Sequence, residues 1–288
     1  MTSIIECAKD GAVLRNTGTN EECLVGPVVR YALAKTDQEF ATATAAKTLP
    51  AWKAAVAAKE IIPLFDIEVL ANANIEATFY EARKRYQTKS EKKVVTSEVH
   101  LGVCSYAAML SYNGKKMRLY EFTDDQKIVG VTNEAGIIVK GQLVTVEVGM
   151  LIPALDDKPQ FAIVTVTYED WKEFINNPVV LAPSWSQISL NGIFDSYIKI
   201  VSASATSVKF TVDGGCSGDK VTSLEDADLT FKKANGTPVA HTFVPADANG
   251  VYEYTGTGFL TGDLVGLNGV VSQPDAIYEA VKAVAIML

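Results

Sequence analysis

The chain has 288 residues, of which 48% are apolar and 21% charged, which fits two domains or one large β domain with a sizeable core. No run of about 18 apolar residues occurs, which excludes a membrane-spanning helix. The N-terminal MTSIIECAKD lacks the basic and apolar regions of a secretory signal, so we expect none. The net charge of −8 disfavours general nucleic-acid binding, because neutralising phosphates requires a basic face. It still allows a surface past which DNA slides without being held.

The four cysteines are Cys7, Cys23, Cys104 and Cys216. They are widely separated, and neither a CxxC pair nor a Cys/His metal spacing occurs. We expect free thiols in a reducing compartment, with a disulfide framework as the alternative.

The first 35 residues predict an arm, or a first strand at 28–33 with a loop. Residues 36–60 are alanine-rich and carry the strongest helical pattern, and Thr36 and Glu39 have the spacing of a capping box. Pro50 predicts the end of a first helical segment and the start of a second, in which Trp52 and Val56 share one face.

Residues 61–69 predict a strand, followed by a short alternating run at 75–80. The next segment, 82–93, is strongly basic and contains Arg83, Lys84, Arg85, Lys89, Lys92 and Lys93 against Glu91 alone. One interpretation is a solvated loop or hairpin tip. The others are a contact with an acidic protein surface and, with Tyr86 as the one aromatic residue present, a nucleic-acid patch.

Residues 94–131 predict a strand, a short helix ended by Asn113-Gly114, and a β-hairpin that turns at 123–126. Two clean alternating runs, 142–149 and 161–168, predict a second antiparallel hairpin. A short helical turn at 169–177 then precedes Pro178 and Pro183. We place the domain boundary there, so the first domain is 1–182, of mixed α+β type, and the second is 183–288.

The second domain has a different composition, with more glycine, threonine, serine and aspartate and no arginine. Seven short β runs are separated by turn dipeptides such as Asn235-Gly236 and Asn249-Gly250. This pattern predicts an immunoglobulin-like sandwich without the Cys–Trp–Cys core of antibody domains. We interpret the last run, 278–286, as its closing strand, with a helix as the alternative. The fold class of the whole chain is therefore mainly β.

Catalytic motifs are scarce. His100 and His241 lie in predicted strands, where a packed or surface histidine is expected rather than a base. Paired carboxylates occur in turns, no phosphate-binding loop or nucleophile motif is present, and we expect neither an enzyme nor a cofactor. A loose calcium site is the remaining alternative, formed by Asp213, Asp219, Glu225, Asp226 and Asp228.

The chain resembles the tail tube (major tail) proteins of long-tailed bacteriophages, of the kind met in phages of gut Bacteroidetes. The similarity covers residues 36–177. It is carried by DQEFATATAAKTLPAWKAAVAAKEIIPL, by the basic segment, by SYAAMLSYNGKKMRLYEFTDDQKIVGV and by VTVTYEDWKEF. Residues 184–288 resemble the immunoglobulin-like domain that such proteins often carry.

The resemblance implies a tail-tube-like β-sandwich or barrel with a flanking helix, whose sheets join into rings, usually hexameric, that stack into a DNA-conducting tube. It implies a virion location after synthesis in the host cytoplasm. The partners would be other copies, other tail proteins and passing DNA that is not specifically bound. A long loop, here best matched by 72–93, would reach the next ring, and Arg83, Lys84 and Arg85 would face a subunit or the exterior rather than the lumen.

Two other classes stay open at this point. One is a different virion component, such as a head-to-tail ring, a head-decoration protein or a baseplate protein. The other is a module that binds the host surface, such as a surface glycan, through the immunoglobulin-like domain.

Overall fold

The computed structural model describes residues 4–5, 25–81, 84–215, 218–274 and 276–288. The fold is mainly β, with 47% strand and 12% helix, and its sheets curl into half-barrels. The chain divides into two compact units, Met1–Leu190 and Asn191–Leu288. The fold class predicted from the sequence is confirmed at this level.

Thirteen strands are described in the first unit: β1 (Ile4–Ile5), β2 (Val28–Ala34), β3 (Ile61–Asp66), β4 (Val69–Asn72), β5 (Thr78–Glu81), β6 (Arg85–Lys89), β7 (Val94–His100), β8 (Lys115–Thr123), β9 (Ile128–Thr132), β10 (Val139–Lys140), β11 (Gln142–Val148), β12 (Phe161–Tyr168) and β13 (Pro178–Leu181). The helices are α1 (Ala43–Ala46), α2 (Leu49–Ala57), α3 (Val103–Leu110) and α4 (Lys172–Asn176). A 3-10 turn, Gln187–Ser189, follows.

Strand pairing bends the main sheet round on itself. Antiparallel pairs run from β3 through β2, β8, β11, β12 and β7 to β4. Since β3 and β4 follow each other in the chain, the segment 61–72 pairs with β2 at one end and with β7 at the other. A second branch continues from β8 through β9 to β13.

The concave side of this curl holds an aliphatic core. Alternate residues of the strands point inward, as a two-residue period requires, and their side chains are almost completely buried. The core residues include Leu33, Val99, Leu119, Val144, Val146, Val164 and Val166. The predicted strand–helix–hairpin unit at 94–131 is confirmed as β7, α3, β8 and β9, and the hairpin predicted from 142–149 and 161–168 is β11 with β12.

The opposite face of β8 is covered by an aromatic cluster centred on Trp52 of α2. Its ring centroid lies 4.8 Å from Phe40, 4.9 Å from Tyr120, 5.4 Å from Phe122 and 6.1 Å from Trp185. The indole Nε1 donates a hydrogen bond of 2.7 Å to the carbonyl of Ala46, so burial leaves no polar atom of this side chain unpaired.

The helix predicted from Thr36 begins later than the sequence pattern suggests. The expected capping box at Thr36 and Glu39 is wrong, because residues 36–42 are not helical and Phe40 makes a β-bridge with Val139. Thr42 caps α1 instead, accepting a hydrogen bond of 3.1 Å from the amide of Ala45. Pro50 does stand in the first turn of α2, as predicted.

Residues 183–190, assigned by sequence to the second domain, pack with the first unit. The Trp185 indole donates to the carbonyl of Lys47 at 2.9 Å, and the Gln187 amide donates to the carbonyl of Lys127 at 3.1 Å. Leu190 is fully buried. The first unit is therefore complete only when the chain extends through residue 190.

The second unit has strands β14 (Ile193–Ala203), β15 (Ser207–Gly214), β16 (Asp219–Lys220), β17 (Leu229–Lys232), β18 (Thr242–Val244), β19 (Val251–Thr255), β20 (Leu264–Leu267), β21 (Val270–Ser272), β22 (Ile277–Ala280) and β23 (Val284–Ala285). One sheet has the order β18-β19-β15-β14-β22-β21 with β16 beside β15, and the other has the order β17-β20-β23. Both sheets contribute to one core, in which Phe231 stacks on Tyr254 with 5.1 Å between centroids.

The last run, 278–286, forms β-structure, as the sequence indicated, but it contributes to two strands rather than one. β22 pairs parallel with β14 in the larger sheet, whereas β23 pairs with β20 in the smaller sheet. The chain thus crosses from one layer to the other between Ala280 and Val284, which a single-strand prediction could not anticipate.

Replacing Trp52 with alanine should lower the free energy of unfolding of the first unit by about 3–5 kcal/mol, because the substitution leaves a cavity where a fully buried indole packed. Urea unfolding followed by circular dichroism would measure the change. Ile188→Ala is the control, since this side chain is 77% exposed and its removal should have little effect. An equal effect of the two substitutions would contradict the central role of Trp52.

Candidate assembly surface

The described residues of the segment 73–93, which are 73–81 and 84–93, form a β-hairpin that extends from the edge of the first unit, and we call this segment the arm. The ladder between β4 and β7 continues into it through Ala73 N donating to Val94 O at 2.9 Å. Two further hydrogen bonds join Ile75 and Lys92, and β5 then pairs with β6. Every described arm residue is exposed except the half-buried Ala77 and Lys93.

The two faces of the arm differ. On one face Tyr80 lies opposite Tyr86, the rings are 61% and 56% exposed, and Thr78 and Thr88 bring their hydroxyls to 3.0 Å. On the other face the Arg85 guanidinium stands 3.8 Å from the centre of the Phe79 ring. Tyrosine and arginine are the residues that protein interfaces favour, and here they lie in solvent.

The structure describes five of the six basic residues predicted for assembly. Lys84, Arg85, Lys89 and Lys92 are exposed along the arm, and Arg85 also lies 3.4 Å from Glu81. Lys93 lies at the base, with its Nζ 3.9 Å from the centre of the Tyr168 ring. Arg83 lies outside the described residues.

The base of the arm is anchored in the core. The Asn74 side chain accepts a hydrogen bond of 3.0 Å from Val94 N, where a side chain replaces a backbone partner. Beneath Lys93, the buried Tyr168 hydroxyl donates to Glu121. Burial, with a smaller effect of Glu121, raises the pKa of Tyr168 well above its ordinary value, so the hydroxyl keeps the proton that it donates.

The outer edge beside the arm is open. Among the described residues, β4 pairs only with β7 and β5 only with β6, so one backbone edge from Val69 to Glu81 faces solvent. Val69 and Leu70 are 50% and 41% exposed along it. Such an edge is a template for pairing with another chain.

A second network, of hydrogen bonds and ion pairs around Glu98, lies at the C-terminal end of β7. Lys158 Nζ donates to Glu98 Oε2 at 2.7 Å, and His100 Nε2 lies 3.1 Å from Glu98 Oε1. The hydrogen bond from Lys158 outweighs burial and, with His100, holds the pKa of Glu98 below its ordinary value. This network ties the loop between β11 and β12 to the sheet.

Both histidines are half-buried, and His241 lies just before β18 rather than within a strand. His241 has Nδ1 2.7 Å from Val239 O and Nε2 3.0 Å from Asp226, and its ring centre lies 4.1 Å from that of Tyr254. Among the described residues, no three His, Cys, Asp or Glu side chains converge as metal ligands, so the loose calcium site has no support there. Lys199 pairs with the buried Asp213 at 2.5 Å instead.

The expectation of free thiols is wrong for Cys104, which is disulfide-bonded in α3. Sequence spacing gave no sign of this pairing, because a disulfide depends on the distance between chain segments in the fold. The other three cysteines lie outside the described residues.

No described helix is long and apolar enough to cross a membrane.

No protein-family model, curated protein or solved structure matches this chain.

The pKa of Glu98 gives a prediction for acid stability. A carboxyl whose pKa is lowered on folding stabilises the fold above its unfolded pKa, about 4.3, and loses that contribution as the pH falls through the folded value. Glu98→Gln should therefore be less stable than the parent near pH 5.5, and the gap should narrow toward pH 3. Urea unfolding across this range would measure the gap, with exposed Glu91→Gln as control. A difference in stability between the two proteins that does not change with pH would contradict the lowered pKa of Glu98.

Proposed function

We propose that this chain is a structural virion protein that self-assembles into stacked rings forming a phage tail tube for DNA passage. The observation that carries the proposal is the arm. It is an exposed, aromatic and basic hairpin that continues an open sheet edge, and it has the form of an element that another chain completes.

Beyond its base, the arm is stabilised little by the rest of its own chain. A two-stranded hairpin alone is marginally stable in water, and the described part of β5 and β6 forms a separate two-stranded sheet. An element of this kind is stabilised when its apolar residues are covered by a partner. The proposed partner is another copy, because the open edge and the arm belong to the same surface of one unit.

Charge supports the same assignment. The chain carries a net charge of −8, so a tube built from many copies would repel DNA phosphates and let the duplex pass. The positive charge of the arm then belongs at contacts between subunits, where it meets acidic surface rather than DNA. Neither the repulsion of DNA nor the contact between subunits requires a catalytic group or a cofactor.

Shortening the arm should abolish assembly without unfolding the chain. Replacing residues 76–91 with Asn-Gly would close a two-residue turn on the Ile75–Lys92 pair and remove the exposed hairpin. Negative-stain microscopy should show tubes or stacked rings for the parent chain and none for the variant, while circular dichroism stays almost unchanged. Monodisperse monomers of the parent at high concentration would overturn the proposal.

Removing the second unit separates the proposal from a host-binding module. A chain ending at Leu190 keeps Trp185 and Gln187 in place and should still form tubes, because the arm and the sheet edge lie in the first unit. A chain ending at 183 is the matched control, since it also lacks Trp185 and should be less stable. If the 190-residue chain keeps its fold but does not assemble, the contacts that form the tube would require the second unit.

A further inference from the structure

His241 lies where the chain of the second unit crosses from one sheet to the other. Val239 is still beside β17 of the smaller sheet, since its amide donates to Phe231 O at 2.9 Å. Thr242 already pairs with Thr255 of β19 in the larger sheet. His241 therefore occupies the crossing itself, and its side chain is only 17% exposed.

Both ring nitrogens of His241 face oxygen atoms that can only accept hydrogen bonds. Nδ1 lies 2.7 Å from the carbonyl oxygen of Val239, and Nε2 lies 3.0 Å from Oδ1 of Asp226. The Asp226 side chain is 57% exposed, and a carboxylate that water reaches is ionised at neutral pH. Neither a carbonyl nor an ionised carboxylate has a hydrogen to donate. Each ring nitrogen must therefore carry a proton if both hydrogen bonds are made.

Neither neutral form of the ring fits this arrangement. A neutral imidazole has one N–H group and one bare nitrogen. With the proton on Nδ1, the lone pair of Nε2 would face the carboxylate of Asp226. With the proton on Nε2, the lone pair of Nδ1 would face the oxygen of Val239 at 2.7 Å. In both cases two acceptors would oppose each other, so this geometry selects the imidazolium cation.

The surroundings of the ring suit a cation. Its centre lies 4.1 Å from the centre of the Tyr254 ring and 5.7 Å from that of Phe231. Aromatic rings attract a cation that lies within about 6 Å of their centre. Burial, with a smaller effect of Asp226, raises the pKa of Tyr254, so its hydroxyl stays neutral beside the ring. Among the described residues, the charged group that pairs with His241 is Asp226.

The bond to Asp226 joins the crossing to a turn that is itself tied to the larger sheet. Asp226 begins the 3-10 turn Asp226–Asp228, which leads directly into β17. In the same turn, Oδ2 of Asp228 accepts a hydrogen bond of 2.8 Å from Nε2 of Gln273, the residue after β21. The protonated His241 therefore connects the crossing with the start of the smaller sheet, at a point that already contacts the larger one.

We propose that His241 is a proton-operated clasp, which fastens the crossing between the two sheets when it is protonated and releases Asp226 when it is neutral. The crossing leads into β18, which lies at the edge of the larger sheet, so the proton controls how firmly this edge strand is held. The inference does not depend on the proposed assembly function.

The sign of the pH dependence follows from proton linkage. The folded state of such a clasp binds the proton more tightly than the unfolded chain does. The clasp therefore stabilises the second unit fully below the pKa of an unfolded histidine, about 6.5. This contribution is lost as the pH rises and the folded state gives up the proton.

Nuclear magnetic resonance of the imidazole nitrogens tests the protonation directly. The chain has two histidines, one in each unit, so a single substitution, His100→Gln, assigns both. Shortening the arm as described above would keep the protein in solution without changing the second unit. His241 should keep both ring protons to a higher pH in the folded chain than in the same chain unfolded in urea. Loss of a ring proton at the same pH or a lower one would overturn the proposal.

Asp226→Asn tests the clasp without removing the histidine. Asparagine has the same shape and offers an NH₂ group to a bare Nε2, so the neutral ring is accepted. In the parent, the unfolding constant of the second unit should rise about threefold to tenfold between pH 5.5 and pH 8, because water partly screens this charged hydrogen bond. Urea unfolding followed by the His241 signal would measure it, and Asp226→Asn should remove most of the rise.

Asp195→Asn is the matched control for this substitution. It makes the same change of charge at an exposed position of the second unit, and no hydrogen-bond partner of the Asp195 side chain is among the described residues. This variant should keep the pH dependence of the parent. An unchanged pH dependence in Asp226→Asn would show that the bond between Asp226 and His241 is not a clasp.

Discussion

Strand β8 is buried on both faces, and the first unit depends on this double burial. Its inward residues, among them Met117 and Leu119, enter the aliphatic core, while Tyr120 and Phe122 enter the aromatic cluster on the other side. A register shift of one residue would exchange these two sets. The position of β8 therefore determines both where the helices pack and how the sheet curls. A half-buried ion pair reinforces it, since Arg118 on β8 donates to Glu173 of α4 at 2.8 Å.

The helices cover only one part of the sheet. Along β7, β11 and β12 the outward positions include four half-buried threonines, Thr96, Thr145, Thr165 and Thr167. Threonine suits a pleated surface that stays in contact with water. The more strongly exposed apolar residues of the first unit lie on the arm and at several other places, among them Val103, Ile137, Met150, Ile175 and Ile188. The first unit thus combines a closely packed centre with exposed apolar side chains on its periphery.

The second unit is built on a different principle. Its core combines stacked aromatic rings from two sheets, and Tyr252 adds polar links by donating to Val221 O at 2.9 Å and accepting from Leu224 N at 3.1 Å. An appended unit of this kind can decorate an assembly without taking part in the contacts that form it.

The sequence by itself determined the mainly β class, the strand–helix–hairpin unit, the second hairpin and most strands of the second unit. These features follow from two-residue alternation and turn dipeptides, which are local properties of the chain. It also identified the basic segment that became part of the arm. Only the tertiary structure showed that helix α1 starts at Ala43, that Trp185 belongs with Trp52, and that Cys104 is disulfide-bonded. Each of these depends on which distant segments meet, because the spacing of residues along a chain does not encode their separation in space.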